Sequence, residues 1–455
     1  FVTTTHGKDT GFIFAIANWL GIVAVIPTEA VASVQYLANL SPESMHLFYN
    51  IQSQTLSLVG LCAAFGLLIV YLLINFWGVG FFAKVNNTIG IFKILIPVIT
   101  AVAILLAAFH SSNFTAYQDK VMPYGISSVF IAIVSTGIIY AFNGFQVPLS
   151  FSAEAKDPAK NIPRAIITSL VISLVIYLAL QAAFIGALPT SSIAAGWHHL
   201  NFHSPLVQLT IALGLNVVTL MLYADSVVSP SGTGLTYTGT TSRMLCAMAQ
   251  EKQAPAFFAH LHPKYHLSRR ALFFNVMLAG ALLFIFRSWT ALVTVLSVFH
   301  IVSYMSGPLA TGYLRKYRPD LPRAFKMFAA SILNPLLFVV LSMLVVFARY
   351  PTTMHFALLT TALYMGYIYL SSYSAAGKHD WPQLFARLKD SCQIAIYMWT
   401  LAIFDMLSPA VYGGNGVLAS WEFYSLVAVV ALIFYYIMLA KKPHAHLPTE
   451  IHSVQ

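Results

Sequence analysis

The stretch IGIFKILIPVITAVAILLA (89–107) contains one charged residue, Lys93, in an otherwise apolar or uncharged run. About 20 such residues, wound as a helix, cross the roughly 30 Å hydrocarbon core of a bilayer. The whole chain has this character, because 58% of its 455 residues are hydrophobic and only 8% are charged. Soluble domains carry about 25% charged residues. The composition therefore predicts an integral membrane protein with lipid as its solvent and excludes a water-soluble fold.

Apolar runs of membrane-spanning length recur along the chain and are separated by short polar segments. They are continuous rather than alternating, which favours helices over a β-barrel. The first and sixth are longer than a perpendicular crossing needs, so we expect them to be tilted or to extend past the membrane. The twelve runs lie near 12–39, 56–75, 81–109, 126–150, 165–187, 205–240, 271–287, 290–314, 327–348, 353–373, 390–410 and 418–439.

The basic residues predict the orientation of the chain in a cell membrane. Loops retained in the cytoplasm carry excess Lys and Arg. When alternate loops are grouped, one side collects all but four of the 24 basic residues; the other side has Lys120, Arg287 and Arg349, and Lys93 lies inside a helix. Both ends of the chain are therefore expected in the cytoplasm. The net charge of +10 is then a matter of topology rather than of nucleic-acid binding.

No signature of an enzyme or of a cofactor site is visible. The three cysteines form no CxxC pair, which excludes a disulfide framework and a thiolate metal cluster. GxSxG, HExxH and phosphate-binding glycine loops are missing from the sequence. The chain begins with Phe1 and reads as a fragment that lacks its N-terminal part. We predict no catalytic residues, metal or cofactor, and the sequence leaves the oligomeric state open.

Ionisable residues at bilayer depth are costly and point to function. Lys93 lies nine residues after a lysine at the membrane edge, hence about 13 Å into the core; it either exchanges protons or tethers a neighbouring helix. Asp225 could counter Lys93, bind a coupling cation, or cap a helix. Glu29 could sense a proton, face a substrate amine, or hold two helices together. Asp405 and Glu422, near the ends of the last two runs, are expected at the interface.

Two segments interrupt otherwise hydrophobic runs. FNGFQ (142–146) places amide side chains in mid-membrane around Gly144, as in the broken helices that bind small solutes in transporters. A simple kink satisfied by neighbouring helices is the alternative. SVVSPSGTG (226–234), which includes Ser229 and Ser231, combines hydroxyls with proline and glycine. Such a segment is suited either to an ion site or to a kinked helix crossing.

Four motifs, in order, resemble the amino acid–polyamine–organocation permeases. NFWGVGFFAKVNNTIGIFKIL (75–95) is similar to the fifth helix of that family. FNGFQ followed by SAEAKDPAKNIPRAI (152–166) resembles its unwound sixth helix and the next cytoplasmic segment. TSRMLCAMAQEKQAP (241–255) resembles the end of the eighth helix, and RPDLPRAFK (318–326) the loop before the eleventh.

The resemblance implies a LeuT-like inverted-repeat transporter fold, all-α and integral to the membrane. The twelve runs would match helices three to fourteen of a branch that includes bacterial aspartate:proton symporters. Residues 1–110 would hold the remainder of the first repeat and 126–316 the second repeat. Four additional helices would lie in 327–440, followed by a cytoplasmic tail at 441–455.

The resemblance also implies roles for individual residues. Lys93 matches a fifth-helix lysine that replaces the coupling ion of sodium-driven relatives, and Ser229 and Ser231 match the eighth-helix side of that space. Phe142, Asn143, Gly144 and Phe145 match the unwound sixth helix, whose carbonyls bind the amino group of the substrate beneath an aromatic ring. Gln146 departs from the family, since many members have an acidic residue there.

The sequence thus predicts a secondary active transporter that imports a small amino acid with protons as the coupling ion. The predicted substrate-binding residues are Phe142–Phe145 and Glu29. The predicted proton-coupling residues are Lys93, Asp225, Ser229 and Ser231. An amino acid exchanger in which Lys93 is fixed and no proton moves is the alternative. A membrane sensor is a remote one, because no output domain is visible in the sequence.

Overall fold

A computed structural model describes residues 2–39, 41–76, 79–150, 155–200, 202, 204–265, 267–321, 323, 325–373 and 380–441. The predicted tail at 441–455 lies outside this set except for its first residue. Only two short strands occur in the described part, β1 (Tyr49–Asn50) and β2 (Thr55–Leu56), which pair antiparallel. Most of the described backbone is helical, as predicted.

The first half of the chain forms the helices that match the first five predicted runs. Each long helix is one apolar run, because a backbone in lipid must satisfy its hydrogen bonds within the segment. The helices are α1 (Val2–His6), α2 (Lys8–Ala38), α3 (Pro42–Phe48), α4 (Leu58–Phe76), α5 (Val79–Ala107), α6 (Gly125–Ser135), α7 (Ile138–Ala141), α8 (Val147–Ser150) and α9 (Pro158–Ala187).

The second half follows the same rule, with short helices in the connections. The helices are α10 (Thr190–Ala194), α11 (Pro205–Ala212), α12 (Asn216–Gln250), α13 (Arg269–Phe286), α14 (Trp289–Tyr304), α15 (Ser306–Tyr317), α16 (Ala330–Val346), α17 (Thr352–Ser371), α18 (Trp381–Ser391), α19 (Gln393–Leu407) and α20 (Ser420–Ala440). Short 3-10 turns lie at Ser111–Thr115, Trp197–His199, Ala256–Ala259 and Ala410–Tyr412.

Among the described residues, seven helical segments are long and apolar enough to cross a membrane. The molecule is therefore a multi-pass membrane protein. The first long run is one helix, α2. The sixth run, 205–240, is instead divided into α11 and α12 at Gly214, whose φ is +70°. The run is therefore two helices in place of the single helix that we expected, and α12 has 35 residues because it continues past the run to Gln250.

Helix α2 lies at the centre of the molecule and α9 at its periphery. In the most apolar 18-residue stretch of α2, 83% of the residues are buried, and the helix packs on α12, α14, α4 and α13. In the corresponding stretch of α9, 17% of the residues are buried. Aliphatic side chains such as Val171 and Leu178 are exposed there. An exposed apolar stripe of this extent is favourable only against lipid. The site described next is formed around the buried central helix.

Contacts between loops and helix ends agree with the predicted grouping of the loops onto two sides of the membrane. On the side predicted to be cytoplasmic, Asp9 forms an ion pair with Arg387, and Gln253 donates a hydrogen bond to the carbonyl of Lys8. On the opposite side, the N–H of Leu56 donates to the carbonyl of Arg287. The structure thus groups these segments as expected, while the assignment of one side to the cytoplasm stays a prediction.

Candidate functional site

The helix that contains FNGFQ is broken where the sequence predicts. Helix α7 ends at Ala141 and α8 begins at Val147, so residues 142–146 lie outside helical geometry. Gly144 has a φ of +112°, and a Cβ atom built there would lie 3.2 Å from the hydroxyl oxygen of Tyr237 on α12. A residue with a side chain avoids this conformation. Gly144 is therefore what allows the backbone to leave the helix at this depth.

The amide side chains within the break are hydrogen-bonded to one another. The N–H of Gly144 donates to Gln146 Oε1 at 3.1 Å, and Gln146 Nε2 donates to Asn143 Oδ1 at 2.9 Å. Tyr304 on α14 donates its hydroxyl proton to the same Asn143 oxygen at 3.0 Å. These bonds satisfy polar groups that lipid cannot, and they hold the segment 142–146 in one shape.

The two phenylalanines of the break pack against tyrosines outside it. Phe142 lies edge-on to Tyr177, with ring centroids 5.3 Å apart, and Phe145 lies 5.0 Å from the ring of Tyr304. Within the described residues, the carbonyl oxygens of Phe142, Asn143 and Phe145 accept no hydrogen bond. The break can therefore offer acceptor oxygens beside aromatic rings, an arrangement that suits an ammonium group.

Glu29 links the central helix to the broken one. It lies on α2 and accepts a hydrogen bond from the hydroxyl of Tyr140 on α7. The sequence singled out Glu29 but not Tyr140. The contact shows how the carboxylate of a central, buried helix is held next to the break.

Lys93 reaches across from α5 to α12, where its ammonium group donates a hydrogen bond to the hydroxyl of Thr233. Ser229 and Ser231, which match the eighth-helix side of this space, make other contacts in the described structure. Thr233 donates to the carbonyl of Ser229, and Ser231 accepts a bond from Tyr71. Positions 229 and 233 are one turn apart on the same helix face. Lys93 therefore contacts α12 on the face that carries Ser229, one turn further along the helix.

Asp225 faces the same region without a direct partner. The charges of Glu29 and Asp225 both act on Lys93, yet no ion pair within 4 Å joins these three side chains in the described part of the chain. The Oδ1 atom of Asp225 is buried and accepts no hydrogen bond from a described residue. The site thus holds one cationic side chain near two carboxyl groups, and one carboxyl oxygen is available to a proton or a ligand.

His300 also belongs to the site, and it was not predicted from the sequence. It is 1% exposed on α14, and its Nε2 atom lies 3.2 Å from Asn143 Nδ2. Its Nδ1 atom lies 2.8 Å from the carbonyl oxygen of Leu296. A lone histidine in the apolar run 290–314 was the available signal, because ionisable residues at that depth need partners.

The two acidic residues near the ends of the last runs differ in their surroundings. Glu422 caps the start of α20 by accepting a hydrogen bond from the N–H of Ala419 at 2.9 Å. Asp405 was expected at the interface and is instead completely buried, where it accepts a hydrogen bond from Thr353. Helix α17 covers Asp405, and the sequence of α19 alone does not predict this packing. The described residues contain no group of three potential metal ligands.

Comparison with known proteins gives matches over most of the chain. A family described as amino acid permease matches residues 1–373. The glutamate/serine transporter AimA of Bacillus subtilis is 41% identical over 436 residues, covering 95% of this chain and 79% of the relative. The aspartate-proton symporter of Bacillus subtilis is 30% identical over 434 residues, covering 95% and 81%. The branched-chain amino acid permease BcaP of the same organism is 29% identical over 269 residues, or 57% and 52%.

Proposed function

The chain belongs to the amino acid permease family, and we propose that it imports small amino acids across the cell membrane together with protons. Membership confirms the predicted family, the LeuT-like fold and a transporter rather than an enzyme. The direction of transport, the coupling ion and the cytoplasmic position of both ends of the chain are part of the proposal.

Serine and glutamate are the substrates that we propose to test first, because the relative of highest identity given above is named for them. The ammonium group would bind at the break, against the free carbonyl oxygens of Phe142 and Phe145 and beside their rings. Asn143 and Gly144 would maintain the shape of the break. Glu29 would act through its bond to Tyr140, since this bond ties α7 to the central helix.

The arrangement around Lys93 carries the proposal of proton coupling. One ammonium group lies near two carboxyl groups without a direct ion pair, so the charges do not balance unless a carboxyl group is protonated or a cation enters. Isolated charges away from water are costly. A proton on Asp225 or Glu29 would remove the imbalance, and substrate movement at the adjacent break could then depend on protonation.

An exchanger without proton movement is the second candidate. The bond from Lys93 to Thr233, which is itself bonded to the carbonyl of Ser229, would also serve as a fixed tether between α5 and α12. In that case Lys93 would hold the two helices together through the transport cycle. Substrate inside the vesicle would then replace the proton gradient as the driving force.

The test uses the full-length protein in proteoliposomes with labelled L-serine and L-glutamate. Uptake and internal pH are followed with and without an inward proton gradient, and with and without unlabelled amino acid inside. The variants are Lys93→Ala and, as a matched control on the same face of α5, Thr100→Val. Thr100 is buried, and its hydroxyl has no hydrogen-bond partner among the described residues.

Proton symport predicts uptake that the gradient accelerates, with acidification of the interior that Lys93→Ala removes and Thr100→Val retains. Uptake that ignores the gradient and requires internal amino acid would favour the exchanger. If neither substrate, nor any member of a wider amino acid panel, enters the vesicles, the proposal of amino acid import is wrong.

A further inference from the structure

A chain of hydrogen bonds runs from the broken helix to the backbone of α14. It begins at the N–H of Gly144, which donates to Gln146 Oε1 at 3.1 Å, and Gln146 Nε2 donates to Asn143 Oδ1 at 2.9 Å. Asn143 Nδ2 then meets His300 Nε2 at 3.2 Å. The chain ends where His300 Nδ1 meets the carbonyl oxygen of Leu296 at 2.8 Å.

Both ends of this chain are backbone groups, and they determine its direction. The N–H of Gly144 can only donate and the carbonyl of Leu296 can only accept. His300 therefore carries its proton on Nδ1 and offers the lone pair of Nε2 to Asn143. The hydroxyl of Tyr304 donates to the same oxygen of Asn143 and so favours the same orientation of the amide. If the Gln146 amide were turned around, its NH2 group would face the N–H of Gly144, and if the Asn143 amide were turned around, its NH2 group would face that of Gln146.

The imidazole ring of His300 is held in position from two sides. Its Nδ1 atom is bonded within its own helix to Leu296, one turn away. On the other side, a Cβ atom at Gly21 of α2 would lie 3.1 Å from both Cε1 and Nδ1 of the ring. The ring is therefore packed against the backbone of the central helix, and its Nε2 atom is aimed at Asn143.

We propose that His300 is a positioning residue for substrate binding, which acts by orienting the amides of Asn143 and Gln146. With the chain in this direction, the N–H of Gly144 is occupied, and the break presents carbonyl oxygens. The site then favours the ammonium end of an amino acid over its carboxylate end. This inference rests on the proposed function, because it concerns the same binding site.

The chain of bonds requires neutral amides and a hydrogen-bond acceptor at position 300. Phenylalanine at 300 keeps a ring of similar size but has no acceptor, so Asn143 loses its partner. Glutamine at 300 can accept from Asn143 through its carbonyl oxygen. An aspartate at 143 has no N–H to donate, so it loses the bond to the Nε2 lone pair of His300.

Hydrogen exchange tests the positioning independently of transport. The full-length protein in lipid nanodiscs is labelled with deuterium, and the peptide that covers 142–147 is followed by mass spectrometry. We expect His300→Phe to accelerate exchange in this peptide about tenfold, because the bonds that protect it are lost. His300→Gln should remain within about threefold of the unsubstituted protein. Ser297→Ala is the matched control, since Ser297 is buried one turn away and bonds only to the carbonyl of Val293.

Uptake of L-serine and L-glutamate in proteoliposomes tests the consequence for binding. His300→Phe should raise KM about tenfold with a smaller change in maximal rate, and His300→Gln should restore KM to within about threefold. Asn143→Asp should raise KM as well.

The outcomes separate this inference from the proposed function. If the unsubstituted protein transports no amino acid, the proposed function fails, and hydrogen exchange alone decides whether His300 orients the break. If His300→Phe and His300→Gln have the same exchange rate in the 142–147 peptide, the positioning role is wrong. If exchange responds as expected but KM does not, the role in substrate binding is wrong.

Discussion

Replacing Gly144 by alanine tests whether the break depends on a backbone conformation that glycine alone adopts readily. The φ of Gly144 is +112°, and holding a residue with a Cβ atom in such a region costs on the order of 1–3 kcal/mol. The new Cβ would also lie 3.2 Å from the hydroxyl oxygen of Tyr237. We therefore expect Gly144→Ala to lower the free energy of unfolding by about 2 kcal/mol and to reduce uptake.

The assay is thermal unfolding of the purified protein in nanodiscs, together with amino acid uptake. The matched control is Gly366→Ala, because Gly366 lies in α17 and a Cβ there meets nothing within 4 Å. Alanine in such a helical position is expected to stabilise by about 0.5–1 kcal/mol. The double variant Gly144→Ala with Tyr237→Phe removes the close hydroxyl, which has no hydrogen-bond partner among the described residues.

Partial recovery in the double variant would assign the remaining loss to the backbone conformation. Complete recovery would show that contact with Tyr237 was the whole cost, and that an alanine at 144 tolerates the conformation. If Gly144→Ala unfolds at the same temperature as Gly366→Ala and transports normally, our account of why the helix breaks is refuted.

Substitutions at three further residues test other parts of the molecule by thermal unfolding. Asp9→Asn should cost about 1 kcal/mol, because it breaks the bidentate pair with Arg387, in which the side chains of Arg387 and Asp9 are 22% and 18% exposed. High salt should reduce this loss only in part, since partly buried pairs are screened less than exposed ones; a loss that disappears completely at high salt would contradict this. Asp405→Asn should retain stability while Asp405→Ala loses about 1–3 kcal/mol, since a buried amide keeps the hydrogen bond that the aspartate accepts; equal losses would argue against it. The guanidinium of Arg318 lowers the pKa of Asp320, so this pair stabilises the folded state above the unfolded pKa and loses its effect as pH falls through the lowered pKa. Asp320→Asn should therefore differ from the unsubstituted protein at neutral pH and converge with it in acid.

The membrane-spanning helices and the break were predictable because they depend on local properties of the chain. An apolar run must satisfy its backbone groups within itself, and in lipid it does so as a helix. Gly144 with polar neighbours in such a run marks a departure from that helix. The run at 205–240 was wrongly predicted as a single helix. A glycine at 214 divides it without any drop in hydrophobicity, so the hydrophobic pattern gives no sign of the division.

The partners within the site depend on how neighbouring helices are aligned in height and rotation. Lys93 bonds to Thr233 rather than to Ser229, one turn away, because the packing of α5 on α12 sets their relative height. The amphipathic pattern of each helix contains no information about this relative height. The helix face on which a residue lies can therefore be predicted, but its contact on the neighbouring helix cannot.

What the sequence by itself determined was the membrane-spanning helical architecture, the family, the position of the break and the candidate residues Glu29, Lys93 and Asp225. The family follows from the resemblance of four sequence motifs, and the rest follows from the hydrophobic pattern, from glycine conformation and from the cost of charge in lipid. Only the tertiary structure decided that Tyr140 contacts Glu29 and that His300 contacts Asn143 in the break. Those contacts join residues more than one hundred positions apart, and only the packing of α2, α7 and α14 brings them within hydrogen-bond distance.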